Sequence, residues 1–169
     1  MMRVLFSGVC FLLVWMIETS FLSSLPSLFS IIPLVFALSV YLIQYHGLID
    51  GLVWIVCYGL FLQLFHFTTV PLPIVSFAVA GLISYISAKQ LFSNRSFYGV
   101  AACATAGFLS RSFLETLFAF FFSLQDHRVV DWNWFFQIRL SEFVMLFFTI
   151  FLLFILLHPL RKFLRYSIY

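Results

Sequence analysis

Ionisable side chains are scarce in this chain. Nine Lys or Arg and six Asp or Glu make up 9% of 169 residues, against roughly 25% in a soluble domain. Turn formers are scarce as well, with seven Gly and five Pro, so long irregular segments have little to build them. The three cysteines, Cys10, Cys57 and Cys103, each fall inside an apolar block. An odd, widely separated set makes neither a disulfide framework nor a metal centre and reads as packing. The net charge of +3 is too small for the basic footprint of a nucleic-acid binder. There is no G-x-S-x-G, H-E-x-x-H, Walker A or C-x-x-C motif, and no two carboxylates stand paired for acid–base work. His46, His66, His127 and His158 are scattered, with no ligand spacing. The chain therefore reads as a non-enzyme without a cofactor or a metal site.

What the chain has in abundance is apolar surface. Hydrophobic residues make up 64%, 25 of them phenylalanine, and the mean hydropathy is +1.12. One soluble core cannot absorb this much, so lipid is the expected solvent. A membrane barrel requires alternating polarity, whereas blocks such as "FVMLFFTIFLLFILL" are unbroken. Helices are the other way to span. A helix crosses the roughly 30 Å hydrocarbon core in about 20 residues. Six candidates fit, at about 3–22, 28–45, 48–67, 71–89, 98–123 and 135–158, the last stopped by Pro159. The expected fold is all-α: a single transmembrane domain over 1–169, a polytopic six-helix bundle. The N-terminal block could serve as a signal peptide, but no A-x-A-like cleavage site follows it, so a retained first span is expected.

Basic residues set the orientation. With the N-terminus inside, the cytoplasm receives Arg3, Lys89, Arg95, Arg161, Lys162 and Arg165, and the outside receives Arg128. Both termini are then cytoplasmic. Trp132 and Trp134 fall where an outer aromatic belt would lie.

Within the spans stand Arg111, Glu115, Arg139 and Glu142. Counted along the two helices, Arg111 and Glu142 each lie about 12 Å below the outer boundary; Glu115 and Arg139 lie about 6 and 7 Å below it. Spacings of four and three put each pair on one face of its own helix. Antiparallel neighbours could therefore close a cluster of zero net charge, since isolated charges in lipid are costly. Ser110, Ser112, Thr116 and Ser141 are candidates for further hydrogen bonds to it. The cluster reads as helix-to-helix glue, as a surface for a membrane partner, or as a ligand or ion site. Glu18 ends the first span, where it is either solvated or a contact on the outer face. Gly47, Gly51 and Gly59, at spacings of four and eight, suggest one small-residue face for close packing.

The order of features resembles one family, MreD, the rod-shape-determining membrane proteins. The likeness runs over about 11–167. It begins with "IETSFLSSLP", where Glu18 stands in place of a frequent Gln. Pro33 follows in "SIIPLVFALSVYL", then the glycine-bearing "HGLIDGLVWIVCYGLFLQL", where Gln63 replaces an Asp. "VPLPIVSFAVAGLISYISAK", "QLFSNRSF" and the closing "LLHPLRKFLRY" complete it. The resemblance implies a non-enzymatic scaffold in the bacterial cytoplasmic (inner) membrane. Its partners would be MreC-like, MreB-like and RodA-like proteins and a penicillin-binding transpeptidase. Such a scaffold would link the cytoskeleton to peptidoglycan synthesis. The family is itself similar to the substrate-binding subunits of energy-coupling-factor transporters, which makes a small-molecule, vitamin-type transport subunit the alternative.

Overall fold

Long apolar blocks with short polar joints fold as helices throughout. The computed structural model describes residues 2–25, 31–45, 48–65, 72–92, 96–126 and 131–166. Among these the regular structure is entirely helical, in six α-helices. They are α1 (Met2–Met16), α2 (Leu34–Tyr45), α3 (Leu48–Phe65), α4 (Leu72–Ile86), α5 (Phe97–Asp126) and α6 (Trp132–Tyr166). A π turn over Ile17–Phe21 extends α1, and another over Ser87–Leu91 extends α4.

Two boundaries differ from the sequence expectation. The second helix begins at Leu34 and not near 28; residues 28–30 lie outside the described residues. The cause is Pro33, whose ring disfavours helical backbone at the preceding Ile32. Its carbonyl then accepts the Ala37 N–H at 3.0 Å and opens the helix. The sixth helix is not stopped by Pro159 but continues to Tyr166. The missing Pro159 N–H leaves one carbonyl, that of Ile155, without its helical donor.

Two helical segments, Leu72–Leu91 and Trp132–Leu157, are long and apolar enough to cross a membrane. The apolar helices Leu5–Phe21, Leu34–Tyr45 and Ile49–Phe65 are shorter. At 30 residues α5 has the length, about 45 Å, but carries Arg111 and Glu115 in its middle.

The apolar pattern is turned outward. Phe6, Leu13, Phe113, Leu140, Val144 and Leu156 are all more than half exposed, while Ser39, Ser76, Ser84, Thr149, Glu115 and Glu142 are buried. Helix α2 is the hub. Val35, Phe36, Ala37, Ser39, Val40, Tyr41 and Ile43 are all buried on it, and it touches α1, α3, α4, α5 and α6. Around it the wrap runs α1, α3, α4, α5, α6. Small residues let neighbours approach. A Cβ on Gly59 would lie 3.0 Å from the Pro73 carbonyl of α4, whereas Gly51 faces α2. The glycines of α3 therefore serve two neighbours and not one face, because eight residues turn a helix by more than two full turns. Gly47 lies outside the described residues.

Candidate functional site

The polar interior draws side chains from α3, α4, α5, α6 and the π turn after α1, with a backbone N–H from α2. On α5, Arg111 and Glu115 are one turn apart, and the Arg111 Nε donates to Glu115 Oε1 at 2.8 Å. On α6, Arg139 and Glu142 are three apart, and Arg139 donates to Glu142 Oε2 at 2.8 Å. The two helices are neighbours, and the pairs join across them. Arg111 reaches Glu142 Oε1 at 2.6 Å, and Arg139 meets Glu115 Oε2. The result is a closed ring of alternating sign, in which every carboxylate oxygen faces a guanidinium nitrogen. Both glutamates are 8% exposed.

The surroundings stiffen this ring. Ser76 of α4 shares its hydroxyl hydrogen between Glu115 Oε1 and the Pro73 carbonyl, each at 3.1 Å. The Arg111 guanidinium lies 4.2 Å from the centre of the Phe77 ring, and that of Arg139 lies 5.2 Å from the centre of Phe135. Such cation–π contacts are strongest where water is excluded. The hydroxyls expected to help do not. Ser110, Thr116 and Ser141 donate instead to the carbonyls of Gly107, Ser112 and Gln137 in their own helices, the usual local competitor for a helical hydroxyl. Ser112 Oγ is buried without a hydrogen-bond partner among the described residues. Ser76 carried no sequence signal, because it belongs to a different helix from either charge pair.

Glu18 is part-buried in this structure. It lies in the π turn over Ile17–Phe21, and the Tyr58 hydroxyl of α3 donates to its Oε1. The Val35 N–H, in the first turn of α2, donates to Oε2 at 2.6 Å. The unpaired N–H groups at a helix start are a natural seat for a carboxylate. Tyr58 in turn meets Phe77 edge-on, with ring centres 4.9 Å apart. Phe77 thus touches both polar groups, Tyr58 in an edge-to-face contact and Arg111 over its ring. A second tie, from Trp54 Nε1 to Ser7 Oγ at 2.9 Å, also holds α1 to α3.

Arg95, Arg128, His46, His66 and His127 lie outside the described residues. Trp134 is 64% exposed near the start of α6. No grouping of three or more His, Cys, Asp or Glu able to hold a metal ion occurs among the described residues. No known protein family, curated protein or solved structure matches the chain. Chemically, the ring is an ionic clamp: its charges are spent on one another, and it ties α5 to α6 at one level.

Proposed function

We propose that this chain is a six-span protein of the bacterial cytoplasmic membrane, with both termini inside. In this reading it is an MreD-like, non-enzymatic scaffold that links an MreC-like protein and the cytoskeleton to peptidoglycan synthesis. The observation that carries the proposal is the closed charge ring inside a bundle whose outer faces are apolar. A bundle whose interior charges are committed to one another offers partners rigid helix faces. A receptor for a solute would instead keep polar groups free for it. The four charges cancel, which lowers the cost of taking α5 through lipid. The span order supports the MreD-like reading. RodA-like and penicillin-binding proteins and MreB-like filaments are the partners it entails.

Two experiments test this. A reporter fused after Tyr169 should read out as cytoplasmic, because six basic residues then face in and one faces out; a periplasmic readout removes the topology. Depletion in a rod-shaped host should round the cells, and an MreC-like protein should co-purify with the chain. Unchanged shape together with loss of uptake of a specific vitamin would assign the transport role instead.

A further inference from the structure

Helix α6 outruns its neighbour α5. The two are antiparallel, and the ring of Phe97, the first residue of α5, lies 6.1 Å from that of Phe151 and 5.8 Å from that of Phe154. Beyond Phe154 α6 continues to Tyr166, which adds about 18 Å at the helical rise. Its long apolar segment runs to Leu157, and the rest is "HPLRKFLRY". We propose that this tail is a lipid-binding element, an amphipathic helix that lies along an anionic bilayer surface with its basic positions at the headgroup phosphates. The proposal rests on the membrane reading above and adds to it the class of lipid.

Helical register sorts the tail into two faces. Positions 158, 161, 162 and 165 fall within one arc of about 100°; they are His158, Arg161, Lys162 and Arg165. Positions 160, 163 and 164 fall within an equal arc on the opposite side; they are Leu160, Phe163 and Leu164. The apolar positions continue a longer row. Leu146, Ile150 and Leu153 are buried in the bundle, and Leu157 packs against its core. Positions 160 and 164 follow at the same alternating steps of three and four. Basic residues at a helix C-terminus complement its dipole, but that accounts only for the charges. It gives no reason for the apolar row to run on beyond the level at which α5 begins.

Charge selects an anionic occupant. No Asp or Glu follows Glu142. Of the six acidic residues only Asp50, in the first turn of α3, lies toward this end of the bundle. Lys89, in the π turn after α4, adds to the basic side. The bilayer is already beside the tail, because the segment that leads into it is long and apolar enough to cross a membrane. An acidic protein would have to be recruited from solution. A helix with Lys and Arg on one face and Leu and Phe on the other settles in the headgroup layer, and basic residues next to a span are drawn to anionic lipid. Pro159 stands at the joint. It withholds one backbone hydrogen bond, and prolines are where helices bend, so the tail can turn from the span onto the surface.

The test uses the full-length protein in lipid nanodiscs, with Ser167→Cys carrying an environment-sensitive dye just after the tail. The unsubstituted protein, taken through the same labelling, corrects for dye on Cys10, Cys57 and Cys103. In nanodiscs of phosphatidylcholine with phosphatidylglycerol, the emission should shift to shorter wavelength than in phosphatidylcholine alone. High salt should reduce the shift, because ions screen exposed charges. Replacing Arg161, Lys162 and Arg165 together with Gln should abolish it, and so should Leu160→Ser combined with Leu164→Ser. The same emission in both lipids would overturn the proposal and leave an acidic protein as the partner of the basic face. So would a shift that ignores salt or survives either set of substitutions. A nanodisc exposes both leaflets, so the result does not depend on which side of the cell membrane the C-terminus faces; the reporter fusion decides that separately.

Discussion

Replacing Glu142 with alanine should cost about 3–5 kcal/mol of folded stability, the loss expected when one member of a buried ion pair is removed. The reason is arithmetic in the ring. Without Glu142, Arg111 and Arg139 are left to share Glu115, and one guanidinium is uncompensated in a water-poor setting. Arg111→Ala has the mirror effect, leaving Glu115 and Glu142 to share Arg139. Removing both Arg111 and Glu142 leaves Glu115 with Arg139, whose contact across α5 and α6 is already made. The double variant should therefore recover a large part of what either single variant loses. Swapping the two residues should recover less, because residue 111 would then face Glu115 with like charge one turn away, and residue 142 would face Arg139 likewise. Unfolding midpoints of the purified variants in detergent supply the comparison, as a double-mutant cycle. A double variant as unstable as the two singles combined would mean that the clamp does not act as a unit.

The grouping of the four charges was legible because helical geometry is strict. Spacings of four and three put Arg111 with Glu115 and Arg139 with Glu142, and a rise of about 1.5 Å per residue brings both pairs to one depth in antiparallel neighbours. What could not be read was anything that depended on a third helix. Ser76 reaches Glu115 from α4, and Phe77 stacks on Arg111 from the same helix; no periodicity in α5 or α6 points to either. Glu18 escaped for a related reason. Its position at the end of an apolar run suggests the interface, while its hydrogen bonds, to Tyr58 of α3 and the Val35 N–H of α2, depend on two other helices. π turns have no sequence signature and often occur where a side chain must be re-aimed for a purpose. Pro159 was misleading in the opposite direction: it removes one backbone donor, yet the helix runs on through it to Tyr166.

The glycines show the same division between composition and placement, and they yield the second large effect. Gly51→Ala should destabilise the fold, although alanine is the better helix former by about 1 kcal/mol. An added Cβ at Gly51 would lie 2.6 Å from the Ser39 carbonyl oxygen and 2.8 Å from the Ile43 nitrogen, both backbone atoms of α2. Backbone cannot turn aside as a side-chain tip can, so α2 and α3 would have to part. Helix α2 is the hub on which the other five helices rest, so that parting would spread through the bundle. Overpacking of this kind costs about 1–3 kcal/mol and occasionally more; Gly51→Leu, with three more carbons to place, should fall at or beyond the upper end. Gly8 is the control. A Cβ there meets nothing within 4 Å, so Gly8→Ala should leave stability unchanged or raise it by up to about 1 kcal/mol. Unfolding midpoints for the two alanine variants should therefore move in opposite directions from the parent. If Gly51→Ala is as stable as Gly8→Ala, then α2 and α3 are not in the close contact that the hub arrangement requires.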